Sequence, residues 1–82
     1  MSESFVLTVK FVFEGDYSII KQYNIIVPAG STKEAEALKR KNTIQTTMTQ
    51  PNKYGFIDLP ITDFNTICFK PDKLIAIEFK HL

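Results

Sequence analysis

The sequence predicts a β-rich α+β domain, a small twisted, mostly antiparallel sheet of about five strands with one short helix between the second and third. Three observations carry this. Phe5, Leu7, Val9, Phe11 and Phe13 recur at period two, the spacing of a strand with one buried face. Two turn-forming clusters, Glu14-Gly15-Asp16 and Lys70-Pro71-Asp72-Lys73, each lie between β-prone runs, as in hairpins. Ser31 precedes Glu34 by three residues at the head of an alanine-, lysine- and glutamate-rich run, a capping box that opens a helix. An all-β small barrel, with the helical run reduced to a loop, is the competing architecture.

The first hairpin continues from Tyr17 to Val27, where Ile19-Ile20 and Ile25-Ile26 place apolar groups on both faces. That doubling predicts burial on both sides, or a bulge that switches faces between the pairs. Pro28, which has no N–H to donate, ends the ladder. The helix is expected over residues 32–41, with Ala35, Leu38 and Ala37 as its thin apolar stripe and fraying past Leu38. Its acidic residues come first and its basic ones last, which suits the helix dipole.

The segment from Thr43 to Thr49 alternates Ile44, Thr46 and Met48 with polar residues, which fits an edge strand or an extended loop. Residues 42–54, rich in threonine and amides and poor in core side chains, are the first place to look for a ligand loop. A short strand, Phe56 to Leu59, is closed by Pro60 and followed by a bend. Thr66 to Phe69 and Leu74 to Phe79 then read as a second hairpin, and the unbroken apolar run Leu74-Ile75-Ala76-Ile77 places the last strand centrally in the sheet or at a subunit contact.

Length and composition bound the function. With 82 residues there is room for one hydrophobic core, hence a single domain over residues 1–82. The 44% hydrophobic and 23% charged content is that of a folding chain rather than a disordered one. A formal charge of +1 supplies no whole-molecule field for nucleic acid or anionic lipid. Cys68 is the lone cysteine, which excludes an intramolecular disulfide and a cysteine-only zinc site. The acidic start Met1-Ser2-Glu3-Ser4 lacks the basic head of an export signal, and no apolar stretch approaches the roughly 20 residues that span a bilayer. A soluble, cytoplasmic protein with no membrane partner is expected. Nine lysines against one arginine suit an AT-rich coding genome, as in many bacteria and their phages.

Chemistry-bearing motifs are sparse. His81 is the only histidine and stands at the chain terminus, so a Cys-His or Ser-His nucleophilic pair is not expected. Cys68 reads as a small buried hydrophobe within a strand. Asp58, Asp63 and Asp72 sit in or beside turns, where aspartate accepts backbone hydrogen bonds, and nothing in their spacing makes a calcium loop. There is no GxGxxG and no P-loop. Neither a metal nor a cofactor is therefore expected.

One local charge concentration remains. Lys39, Arg40 and Lys41, with Lys53 and Tyr54 beyond, are the candidate contact residues for a ligand or partner, able to meet phosphates while an aromatic ring stacks. Cations at a helix end also serve the dipole alone. Tyr17, Tyr23 and Tyr54 read either as interface anchors or as ordinary strand packing. Missing chemistry favours a non-catalytic protein-interaction or regulatory module. A nucleic-acid or nucleotide binder working through Lys39 to Lys41 and Lys53/Tyr54 is the alternative, and an enzyme ranks third. The apolar strand surface exceeds what one short helix covers, which predicts self-association, most simply as a homodimer, alongside a separate protein partner.

Overall fold

The structure is a computed structural model that describes residues Glu3 to His81. Five strands and one α-helix form a β-rich α+β fold: β1 (Glu3–Phe13), β2 (Tyr17–Val27), α1 (Lys33–Thr47), β3 (Ile57–Thr62), β4 (Asn65–Phe69) and β5 (Leu74–His81). They make two sheets, a three-stranded antiparallel one in the order β2-β1-β5 and a separate β3-β4 pair. The sheets do not close into a barrel. Two 11-residue strands at about 3.4 Å per residue give the molecule its long axis of 42 Å.

The period-two run of β1 dictates the core. Phe5, Leu7, Val9, Phe11 and Phe13 are all buried, with Leu7, Val9 and Phe11 wholly enclosed. Antiparallel pairing sets Phe5 opposite Ile25 and Phe11 opposite Ile19 on β2, and Phe11 opposite Ile77 on β5. One face of the sheet is thereby apolar across all three strands. Onto it pack α1, through Ala37 and Ile44 with Met48 at its C-cap, and the β3-β4 pair, through Ile57, Leu59 and Phe69. The Phe69 ring meets Phe13 edge-on at 4.8 Å.

The first hairpin is as expected. Gly15 and Asp16 both have positive φ in its turn, where glycine carries no steric penalty. The second hairpin is not. β4 pairs with β3, and β5 crosses over to lie against β1. A 3₁₀ turn, Pro71–Lys73, redirects the chain between them, and the Glu14 N–H donates to the Lys73 carbonyl at 2.9 Å to fix the crossing. β5 is therefore an edge strand rather than a central one. Its apolar run is explained by a bulge: Phe13 faces Leu74 while Val12 faces Ala76, leaving Ile75 as the extra residue and returning Ile77 and Phe79 to the core side. β2 has no bulge. Its doubled isoleucines divide by plain alternation, so Ile25 is buried while Ile20 and Ile26 stand outward, 61% and 66% exposed. Pro60 lies inside β3 rather than closing it, beside the register shift that separates its pairing with Thr66 from that of Thr62 with Asn65, where a missing donor costs least.

The helix runs six residues beyond the expected end at Lys41, so residues 42–47 are neither strand nor loop. Ala37, Ile44 and Met48 are buried on one side with the half-buried Lys41 between them, a spacing of seven and four that keeps one face to the sheet. Lys41 interrupts this stripe in the sequence, which hides the helical period. Thr43 and Thr47 bond their hydroxyls to the carbonyls of Lys39 and Thr43, at 3.0 and 2.9 Å, and so tolerate the helix. Leu38 is turned outward, 59% exposed. The N-cap is Thr32, not Ser31: its hydroxyl accepts from the Ala35 N–H at 3.1 Å. Ser31 instead donates to the Glu36 carboxylate at 2.6 Å, after a Pro28–Ser31 turn that holds Gly30 at φ +87°.

Candidate functional site

The helix cations do not form one patch. Successive helical residues diverge by about 100° around the axis: Lys39 and Arg40 border the groove beside residues 24–26, whereas Lys41 turns toward β5. Lys39 pairs with Glu36 at 3.2 Å. The Arg40 guanidinium lies over the Tyr23 ring on β2, 5.4 Å from its centre, while the Lys41 ammonium lies 5.9 Å from the centre of Phe79 on β5. Arg40 and Lys41 thus flank the apolar stripe of α1 and lay their stems along it. Lys53 and Tyr54 meet each other at 5.1 Å in the turn after the helix. That turn is closed on itself: the Asn52 side-chain oxygen accepts from the Tyr54 and Phe56 N–H groups at 2.9 and 3.2 Å, and the Asn52 N–H donates to the Phe56 carbonyl at 2.7 Å. Among the described residues no hydrogen bond, ion pair or ring contact joins Lys39, Arg40 or Lys41 to Lys53 or Tyr54.

Cys68 is exposed rather than buried. β4 alternates about Phe69, so Cys68 falls on the outer face of the β3-β4 pair, opposite Asp58. Its thiol donates to the Asp58 carboxylate at 3.0 Å, and Asn52 reaches the same carboxylate at 3.4 Å. The hydrogen bond to Asp58, aided by desolvation and the adjacent negative charge, pushes the thiol above its ordinary value. A nucleophilic cysteine needs the opposite. His81 lies away from this cluster, its ring packed edge-on against Phe5 at 5.7 Å. Among the described residues no group of three or more His, Cys, Asp or Glu converges as a metal site, and no helix is long and apolar enough to cross a membrane.

A further surface, which the pattern of charges and turns did not single out, is the β2 edge. β2 pairs with β1 on one side and, among the described residues, has no strand on the other, so alternate residues along it turn N–H and C=O groups outward. It has neither proline nor bulge. Beside it lies a groove of about 340 Å³ between residues 24–26 and the Glu36, Lys39, Arg40 and Thr43 side of α1. Farther along, β3 approaches: Lys21 donates its ammonium to the Pro60 carbonyl, and its charge also lies 5.0 Å from the centre of the Tyr23 ring. Tyr23 is therefore held between Lys21 and Arg40. Burial raises its phenol above the ordinary value, and the Arg40 charge opposes that shift. Glu36, in the groove wall, is held below the usual carboxylate range by the Ser31 hydroxyl and then by Lys39. The sequence signal for this surface is the doubling Ile19-Ile20 and Ile25-Ile26, whose second members stand outward on β2.

Protein-family models, curated proteins and solved structures were all compared with the chain, and none matches it.

Proposed function

We propose that the chain is a non-catalytic protein-interaction module that receives an extended segment of a protein as an added strand on β2. The observation that carries this reading is the β2 edge itself, a strand of 11 residues without bulge or proline. Long edges of this kind are normally blunted, because their free backbone groups pair with any available strand. The groove along residues 24–26 adds side-chain contacts: aliphatic ones from Ile25 and Ile26, polar ones from Asn24, Thr43 and the Glu36, Lys39 and Arg40 row. Strand addition of this type takes affinity from the backbone and selectivity from such neighbours. An exposed thiol at Cys68 suits a reducing compartment, which makes the cytoplasm the natural setting.

Site-specific photo-crosslinking in living cells tests the reading. A photoreactive residue in place of Gln22 or Asn24 is expected to give discrete protein adducts, and the same probe in place of Thr66 on the outer strand of the β3-β4 pair is not. Equal labelling from all three positions, or no discrete adduct from β2, overturns it.

A further inference from the structure

Lys21, Tyr23 and Arg40 border a small cavity between three elements. β2 supplies Lys21 and Tyr23, α1 supplies Arg40, Ile44 and Met48, and β3 supplies Asp58 and Leu59. Its volume of about 190 Å³ falls below the roughly 300–1,000 Å³ of clefts that take drug-sized ligands. A ligand held here is therefore small.

Charge narrows the choice. Two cations, Lys21 and Arg40, and one carboxylate, Asp58, line the cavity, which leaves one positive charge in excess. Asp58 already accepts from the Cys68 thiol and the Asn52 amide, and among the described residues neither Lys21 nor Arg40 pairs with a carboxylate. Lys21 gives one of its N–H donors to the Pro60 carbonyl. The Arg40 guanidinium lies over the Tyr23 ring, 5.4 Å from its centre, and a guanidinium held by a ring face keeps in-plane N–H groups that match a carboxylate. The Tyr23 phenol adds a neutral donor, because burial raises it above the ordinary value and so keeps its proton. The Thr43 and Thr47 hydroxyls donate to helix carbonyls instead. A phosphate dianion would set a second negative charge near Asp58 with no cation to balance it. Ile44, Met48 and Leu59, all buried, complete the cavity with an apolar wall.

We propose that this cavity binds a small aliphatic monocarboxylic acid, its carboxylate on Arg40 and Tyr23 and its hydrocarbon tail against Ile44, Met48 and Leu59. Such a ligand does not depend on a strand added to β2. Polar groups at one end fix its orientation, and the apolar wall rewards its tail, the usual division of labour in a small-molecule site.

Butyrate is the probe, titrated at neutral pH and constant ionic strength into the isotopically labelled chain, with amide NMR shifts as the readout. Saturable shifts in the millimolar range are expected at Tyr23, Arg40 and Leu59, and none at Thr66 on β4. Butyramide, with the same tail and no charge, and butylammonium are expected to give no saturable shift, and inorganic phosphate a weaker one than butyrate. Arg40→Met keeps an apolar stem over the ring and is expected to weaken butyrate by about tenfold or more, as loss of a charge-assisted hydrogen bond does. Tyr23→Phe is expected to weaken it several-fold. Lys39→Met, whose cation pairs with Glu36 outside the cavity, is expected to leave it unchanged. In the unsubstituted chain saturating butyrate is also expected to raise the Tyr23 phenol further, because ionising it would bring two negative charges together; ultraviolet titration reads this. Shifts that grow linearly without saturating, equal binding of butyramide, or an Arg40→Met chain that binds butyrate as tightly as the parent overturns the site. The butyramide comparison needs no variant, and unchanged circular dichroism confirms that each substituted chain is folded.

Discussion

Cys68 and Asp58 face each other across the β3-β4 pair, with the thiol donating to the carboxylate at 3.0 Å. The pair makes an exposed cysteine behave as an unreactive one, because ionising the thiol would give up the hydrogen bond and place two negative charges side by side. Alkylation by iodoacetamide, followed against pH, is expected to show a midpoint above that of an ordinary thiol. Asp58→Asn removes the charge and is expected to lower the midpoint and speed the reaction several-fold at mildly alkaline pH. An identical profile in the variant would show that the carboxylate does not control the thiol.

The helix extension sets a sharp contrast between two residues of similar size. Ile44 is buried between α1 and the sheet, whereas Leu38 is turned to solvent. Ile44→Ala is expected to cost about 2–4 kcal/mol in urea unfolding, from lost transfer energy and the cavity left behind, and Leu38→Ala no more than about 0.5 kcal/mol. Equal costs would mean that the helix does not continue through Thr47.

The start of the helix gives a third expectation. Thr32 satisfies the Ala35 N–H, whereas the Ser31 hydroxyl bonds to a carboxylate. Thr32→Ala therefore leaves a helix donor without its protein partner and is expected to cost about 1 kcal/mol. Ser31→Ala spares the cap and is expected to cost less, with the Glu36 carboxylate moving up toward its ordinary range as it loses its first stabilising partner. Denaturant unfolding of the two variants, with NMR titration of Glu36, reads both effects. A larger cost for Ser31→Ala would restore the serine as the cap.

Much of this fold is legible in the sequence, and the failures share a cause. The β1 run and the Glu14-Gly15-Asp16 turn specify the first hairpin because both signals are local. The β4-to-β5 crossing is not local. Pro71 and Asp72 read equally well as a hairpin turn or as the 3₁₀ turn seen here, and only the apolar face of β1, far away in the chain, decides between them. Residues 42–47 mislead for a related reason: Thr43, Ile44 and Thr46 favour strands intrinsically, but burial of Ile44 and Met48 against the sheet outweighs propensity. The candidate contacts Lys39, Arg40 and Lys41 were legible as a charge run. That two of them lie over Tyr23 and Phe79 depends on a packing angle no local pattern contains.

Tyr23 supplies a pH test of its contact with Arg40. Its phenol is raised by burial, with Arg40 opposing, so the folded chain holds the proton more tightly than the unfolded one. The contribution of this group to stability is complete below the unfolded value of about 10 and is lost as pH rises from there through the folded value. Ultraviolet titration is expected to show one phenol ionising above the ordinary tyrosine value. Arg40→Met, which removes the opposing charge but keeps an apolar stem, is expected to delay it further. A phenol that titrates earlier in the variant would mean that Arg40 does not act on Tyr23.

The last expectation concerns nucleic acid. A phosphate-binding site formed by Lys39, Arg40, Lys41 and Lys53 must release counterions, and four contacts predict a slope of about −3 in log affinity against log salt for a single strand. Such a site also needs its cations aligned along one groove with rings free to stack. Here Lys39 is paired with Glu36, Arg40 and Lys41 point to opposite sides of the helix stripe, and Lys53 belongs to a separate turn. With a formal charge of only +1, no wider field compensates. Single-stranded and duplex oligonucleotides titrated at two salt concentrations are therefore expected to show no saturable binding even at the lower one. Binding with the steep slope, reduced by Lys39→Ala and again by Lys53→Ala, would establish that the two groups act together on phosphates and would displace β2 as the principal contact surface.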